Sequence, residues 1–99
     1  MRLLIRLHVW LDVKDSNGHY KDCFYGEKIV QIPVFPAMIT IYGQAWKQED
    51  TDGFVPCYDV DANAYTLDVD TTLSPGDFDD YVEHVRSIGF FDPCKADEQ

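Results

Sequence analysis

The chain has 99 residues and a formal net charge of −10, with 45% hydrophobic and 14% aromatic residues. This length and apolar content predict one folded domain, and they exclude a disordered chain or a second hydrophobic core. The negative charge excludes nucleic acid as a direct ligand of any acidic surface of the protein, because phosphates would be repelled.

The first thirteen residues are largely apolar, but they do not read as an export signal. Arg6, His8 and Asp12 interrupt the apolar run, and no small-residue cleavage site follows. No apolar stretch approaches the ~18 residues that a membrane-spanning helix needs. The three cysteines are widely spaced, odd in number and without metal-ligand spacing. We therefore expect an unexported, cytoplasmic chain with free thiols.

Two strands and a turn are predicted in the first third of the chain. Residues 2–13 alternate between an apolar face and a mixed face, as a half-buried strand does. Asn17 and Gly18 predict a hairpin turn, since both residues tolerate a positive φ. The second predicted strand, residues 20–32, contains Gly26. One bulged strand or two short strands would fit, and we favour the bulged strand.

Three further strands are predicted after Pro33 and Pro36, which cannot donate a hydrogen bond to a ladder. Pro56 indicates that the middle one lies at a sheet edge or carries a bulge. The predicted strands are residues 37–48, 54–60 and 65–70.

One helix is predicted over residues 75–88. Ser74 is a suitable N-cap, Pro75 suits the first helical position, and Gly89 is a typical C-terminal stop. An apolar stripe within an arc of about 120° should pack on the sheet. Its members are Phe78, Tyr81, Val82, Val85 and Ile88.

The order of these elements predicts an α+β fold. We expect a mostly antiparallel β-meander of about five strands, with the C-terminal helix packed on one face. Residues 1–92 should form this single compact domain, followed by a short polar tail over residues 93–99.

Charge is distributed unevenly along the chain. Residues 1–49 hold six Lys or Arg and five Asp or Glu, a net charge of +1. Residues 50–99 hold two and thirteen, a net charge of −11. Between Lys47 and Arg86 there is no basic residue. An acidic face without interspersed cations favours a positively charged partner, the alternative being a solvated face that only confers solubility.

Pairs of the form Asp-x-Asp recur four times at an interval of nine residues. In a strand, the two carboxylates of such a pair lie on the same face. The glycine pairs of calcium-binding β-roll repeats are absent, so we interpret the interval as one strand plus its turn. The pairs are Asp50/Asp52, Asp59/Asp61, Asp68/Asp70 and Asp77/Asp79.

The segment DVDANAYTLDVD, residues 59–70, resembles a twelve-residue EF-hand calcium loop, over these residues only. Asp59, Asp61 and Asn63 stand at loop positions one, three and five. Ala64 replaces the usual glycine, Asp70 replaces the usual bidentate glutamate, and the flanking segments are not helical. The segment therefore favours a β-hairpin, with cation binding as the alternative. The side chains expected to be buried or packed are Val60, Tyr65, Leu67 and Val69.

No catalytic arrangement is visible. His8, His19 and His84 are not spaced with a nucleophile, a carboxylate or a cysteine in any familiar pattern, and there is no glycine-rich phosphate loop. We therefore predict no enzyme activity, no cofactor and no metal site.

The mixed face of the first strand carries Arg2, Arg6, His8 and Trp10. An open cationic and aromatic patch is one interpretation. Cross-strand pairing of Arg2 or Arg6 with Asp22 or Glu27 is the simpler one, and we favour it.

Together, these observations predict an acidic protein-binding module. In size, charge and compactness the chain resembles small acidic inhibitors of phages and mobile elements, including anti-CRISPR and anti-restriction proteins that imitate DNA, although no motif is shared. Its partner would be a basic, nucleic-acid-handling protein, with no direct nucleic acid and no membrane involved. The alternatives are calcium binding by the hairpin and an immunity or antitoxin protein that neutralises a basic nuclease. The predicted partner-binding residues are Asp59, Asp61, Asp68, Asp70, Asp77, Asp79, Asp80 and Glu83.

Overall fold

A computed structural model describes residues 1–48, 54 and 56–93. Within these residues the chain forms six strands and one helix. The elements are β1 (Arg2–Leu11), β2 (Cys23–Gln31), β3 (Met38–Ile41), β4 (Gln44–Lys47), β5 (Cys57–Asp59), β6 (Ala64–Leu73) and α1 (Pro75–Ser87).

Four of the strands form a mixed sheet in the order β2-β1-β6-β5. β1 pairs antiparallel with β2 and parallel with β6, and β5 pairs antiparallel with β6. The predicted α+β fold with a C-terminal helix is therefore confirmed, but the sheet is not a pure meander. After β2 the chain forms a separate hairpin and returns through β5, so that β1 and β6, which carry the most apolar faces, meet at the centre.

The third predicted strand, residues 37–48, is in fact the hairpin β3–β4, which forms a two-stranded sheet of its own. Its turn consists of Tyr42 and Gly43, with φ angles of 46° and 87°. Two consecutive positive φ angles are typical of the tight turns that join antiparallel strands. The sequence concealed this turn because tyrosine is uncommon at a positive φ.

The other predicted strands exist with different bounds or geometry. β1 and β2 are shorter than residues 2–13 and 20–32, β5 is only part of 54–60, and β6 extends beyond 65–70 because its last residues continue to pair with β1. β2 pairs with β1 in one uninterrupted register, so the favoured bulge was wrong. A Cβ at Gly26 would lie 2.8 Å from the Phe24 ring and 3.2 Å from Phe90, so close packing explains this glycine.

The core lies between the sheet and a layer made of α1 and the β3–β4 hairpin. On the sheet side, Leu7, Val9 and Leu67 are fully buried. Tyr81 of α1 donates a hydrogen bond to the Ile41 carbonyl (3.2 Å), and the Trp46 indole donates one to the Asp70 carbonyl (2.8 Å). These two bonds tie the helix to the hairpin and the hairpin to the sheet.

The helix begins and ends as the sequence predicts. Pro75 occupies the first turn, although the Ser74 side chain donates to Asp77 Oδ2 (3.1 Å) and makes no cap to the backbone. At the other end Gly89 has a φ of 107°, and the next N–H, that of Phe90, donates to the Val85 carbonyl (3.0 Å). This is the Schellman termination that glycine favours. Four of the five predicted stripe residues are buried, but Ile88 is 38% exposed and does not belong to the stripe.

In the part of the chain that the structure describes, no helix has the length and apolar character that crossing a membrane requires. Of the polar tail predicted over residues 93–99, the structure describes only Pro93.

Candidate functional site: the open sheet face

The side of the four-stranded sheet that faces away from α1 carries a row of exposed or half-buried polar and aromatic side chains, and we call it the open sheet face. The strand registers place Arg6 between Glu27 of β2 and Asp68 of β6. They place the next residue on that face, His8, between a tyrosine of β2 and Asp70 of β6. Most side chains at the centre of this face are polar or aromatic, which is unusual for a face that would pack in a core.

A single cation organises the carboxylates of this face. The Arg6 guanidinium lies 3.6 Å from Glu27, 3.3 Å from Asp59 and 3.8 Å from Asp68. The favoured pairing of Arg6 with Glu27 is thus confirmed. Asp59 Oδ1 also accepts the backbone N–H of Asp61 (2.9 Å), and that carboxylate is held from two sides. Three negative charges surround one positive charge, so the network keeps a net negative charge in a fixed geometry.

Four aromatic rings run beside these carboxylates, and we call them the aromatic row: Tyr25, His8, Trp10 and Tyr20. Their successive ring centroids are 4.6, 5.7 and 5.5 Å apart. The Lys14 ammonium lies 5.1 Å from the centroid of Tyr20 and ends the row with a cation–π contact.

Sequence reasoning found only part of the aromatic row. It left an open cationic and aromatic patch on the first strand as the less favoured interpretation, whereas the structure stacks His8 against Trp10 at an interplanar angle of 10°. The alternation along β1 did place both residues on one face. The contribution of Tyr25 depends on the register of β2, which single-strand patterns do not supply.

Tyr25, at one end of the aromatic row, is also part of the charged network. The Tyr25 hydroxyl donates a hydrogen bond to Glu27. Burial, together with this bond and the Glu27 charge, raises the pKa of Tyr25 well above its usual value. The hydroxyl therefore stays protonated further into the alkaline range than a free tyrosine, with Glu27 as its acceptor.

The eight predicted partner-binding residues fall on two separate surfaces. Asp59, Asp68 and Asp70 lie on the open sheet face, and Asp61 lies in the adjoining turn. The other four are exposed on α1, which packs against the opposite side of the sheet. We call these four the acidic helix face: Asp77, Asp79, Asp80 and Glu83. The pair Asp50/Asp52 lies outside the described residues.

The segment that resembles a calcium loop is the hairpin β5–β6. Leu67 and Val69 are buried as predicted, but Val60 is 81% exposed because it lies in the turn. Asn63 closes the turn with a φ of 52° and accepts a hydrogen bond from the Tyr58 hydroxyl. Among the described residues there is no group of three or more His, Cys, Asp or Glu placed to hold a metal ion.

Comparison with protein-family models, with curated proteins and with solved structures finds no match to this chain.

Proposed function

We propose that the protein is an acidic protein-binding module that covers a basic, nucleic-acid-binding surface of a partner protein, with the open sheet face as its contact surface. The observation that carries this proposal is the aromatic row lying beside a line of carboxylates on an uncovered sheet. Inhibitors from phages or mobile elements, of the anti-CRISPR or DNA-mimic type, are the class that fits this chemistry.

The two features of the face have complementary roles in binding. Tyrosine and tryptophan are enriched at the centres of protein interfaces because they bury much apolar area while keeping a polar group. Trp10 and Tyr25 are half-buried in the free protein, so further burial on binding is available to both. The exposed side chains of Asp68 and Asp70 project from the neighbouring strand, where they would meet Lys or Arg of the partner and steer its approach.

The ion network adds preorganisation. Because Arg6 contacts Glu27, Asp59 and Asp68 in the free protein, these carboxylates lose less conformational freedom when a partner binds. A surface that is already ordered binds more tightly than a flexible surface of equal charge.

The calcium alternative has weaker support. Asp59, which would be the first ligand, is already engaged by Arg6 and by the backbone of the turn. Asp68 and Asp70 belong to a paired strand that cannot close around an ion together with the turn. An immunity or antitoxin role would use the same surface, and the identity of the partner distinguishes it from an anti-defence role.

The test compares two double variants with the same change in net charge. Asp68→Asn with Asp70→Asn alters the open sheet face, and Asp79→Asn with Asp80→Asn alters the acidic helix face. Each protein is immobilised and used to capture partners from a bacterial lysate over a salt series. Captured proteins are then challenged with duplex DNA.

We expect the sheet-face variant to lose at least about tenfold in capture of a partner that duplex DNA displaces, while the helix-face variant retains most of it. Trp10→Leu, which leaves the charge unchanged, should weaken the same capture by a similar factor. Equal losses in both charge variants would show a diffuse charge effect. Failure of DNA to displace any captured partner would refute the proposed competition.

A further inference from the structure

A groove of about 740 Å³ lies at the outer edge of β2, and Tyr25 at the end of the aromatic row is among the residues that line it. The edge of β2, the helix and the segment after the helix form its walls. Its buried lining is apolar and consists of Phe24, Phe78, Val82 and Phe90. At the rim Phe91 is 53% exposed, so apolar surface continues out of the groove.

The chain itself already adds a short strand segment to this edge. The Glu27 N–H donates to the Phe91 carbonyl (2.7 Å), and the Phe91 N–H donates back to the Glu27 carbonyl (3.1 Å). The two residues form an antiparallel bridge. Both backbone groups of Glu27 therefore point away from β1, toward the outer edge.

The same direction follows for Tyr25, two residues along β2. In an antiparallel pair the outward-facing residues alternate with those bonded to the neighbouring strand. The Leu11 N–H donates to the Asp22 carbonyl (3.1 Å), which confirms that the even-numbered residues of β2 face β1. The N–H and C=O of Tyr25 thus point outward beside the groove, and within the described residues neither has a partner on that side.

Pro93 limits how far the described part of the segment after α1 can extend this pairing. Continuing the antiparallel pairing of Phe91 with Glu27 would bring Pro93 opposite Tyr25. Proline has no N–H to donate to the Tyr25 carbonyl, and Pro93 is the last described residue of this segment. Among the described residues, the Tyr25 backbone groups thus remain without a partner next to an apolar groove.

We propose that this edge binds an extended peptide of a partner protein by strand addition, with an apolar side chain in the groove and Lys or Arg on either side of it. In strand addition the backbone bonds supply affinity and the pockets for alternate side chains supply specificity. The buried lining is aromatic and aliphatic, and the Arg86 guanidinium carbon lies over the Phe24 ring, 5.2 Å from its centroid. Asp22 stands at the rim, and the protein carries a net charge of −10, so basic flanking residues complement it.

This site goes beyond the proposed function, because it uses backbone groups and an apolar groove at the sheet edge, not the carboxylates of the open sheet face. The probe is a synthetic peptide of about six residues that alternates Lys with Val and Phe. The same peptide with N-methyl groups on its strand-pairing amides keeps the charge and side chains but cannot donate hydrogen bonds. Binding is followed by amide chemical shifts and hydrogen exchange of the ¹⁵N-labelled protein.

Three variants isolate the backbone contribution. Tyr25→Pro removes the outward N–H, whereas Tyr25→Val removes the ring and keeps the N–H. Ile29→Pro removes an outward N–H on the same edge but on the far side of the Glu27–Phe91 bridge, away from the groove. Circular dichroism and thermal melting confirm that each variant is folded.

We expect the peptide to slow exchange of the Tyr25 amide, and Tyr25→Pro to weaken binding at least about tenfold. Ile29→Pro should stay within about twofold of the parent protein, Tyr25→Val should retain more binding than Tyr25→Pro, and the N-methylated peptide should lose most of its affinity. Equal binding of the two peptides, or shifts confined to the acidic surfaces, would overturn the proposal. So would the absence of any perturbation at Cys23–Tyr25 with millimolar peptide.

Discussion

The open sheet face and the acidic helix face carry the same kind of residue in two different electrostatic situations. On the sheet, Glu27, Asp59 and Asp68 surround Arg6 at 3.3 to 3.8 Å. On the helix, the exposed carboxylates have no ion pair with any described residue. Identical Asp-x-Asp spacing thus leads to a fixed, partly compensated surface in one place and to a solvated, self-repelling one in the other.

This difference shows that acidic character alone does not define a binding surface. Charge on α1 is attached to side chains that point into water, and their neighbours on the helix are also acidic. Charge on the sheet is ordered by a cation and adjoins aromatic rings. Only the second arrangement combines ordered charge with apolar area to bury, which is why the proposal places the partner there.

The largest expected effect concerns Tyr81, the buried tyrosine of α1, in comparison with Tyr25 of the open sheet face. Burial raises the pKa of Tyr81, on the inner side of α1, from 10 to about 12. Because the folded state holds this proton more tightly than the unfolded state, the related stability is complete below pH 10 and is lost as the pH rises through 12. A shift of this size corresponds to about 2 to 3 kcal/mol of unfolding free energy.

Urea denaturation at a series of alkaline pH values measures this loss. In Tyr81→Phe the free energy of unfolding should fall less steeply between pH 10 and 12. The variant also loses the hydrogen bond to the Ile41 carbonyl, which contributes about 1 kcal/mol. Tyr25→Phe, on the open sheet face, provides the comparison. If the parent protein and Tyr81→Phe lose stability equally between pH 10 and 12, ionisation of the buried phenol is not the cause of that loss.

A second prediction makes the open sheet face resemble the helix face. Arg6→Gln leaves three carboxylates close together without a cation. Because Arg6 is 31% exposed, the expected loss is about 2 kcal/mol at low salt, less than for a fully buried ion pair. The loss should shrink in concentrated salt, since screening weakens the repulsion among the remaining carboxylates.

Lys21→Gln is the matched control, because it removes the same charge from an exposed residue that has no ion pair with any described residue. Urea titrations at low and high salt give the free energies of unfolding for both variants. The network would have no structural role if Arg6→Gln and Lys21→Gln behaved alike at both salt concentrations.

The sequence predicts this molecule well wherever local chemistry decides the structure. Pro75 and Gly89 mark the helix, Asn17-Gly18 marks the first turn, and strict alternation marks β1, because each signal acts within a few residues. The hairpin turn at Tyr42 was missed because its positive φ contradicts the local preference of tyrosine, so the local signal indicated the wrong structure.

What the sequence could not predict depends on which strands become neighbours. The parallel pairing of β1 with β6 brings Arg6 beside Asp68, and the pairing with β2 brings His8 beside Tyr25. Residues about 60 positions apart thereby form one surface, while Asp77 and Asp79 separate to the other side of the sheet. Charge counting along the chain could not separate the two faces, because it contains no information on pairing.

The smallest expected effect makes the helix face resemble the open sheet face. Glu83 lies four residues after Asp79 and three after Asp80, so its carboxylate repels two neighbours on the helix surface. Glu83→Lys replaces both repulsions by attractions in the favourable orientation and should stabilise the fold by about 0.5 to 1 kcal/mol at low salt. Glu83→Gln, which only removes the repulsions, should give about half of that. Melting temperatures and urea midpoints at low and high salt check both values. A gain that persists unchanged in concentrated salt would mean that helix propensity, and not charge, distinguishes this surface from the open sheet face.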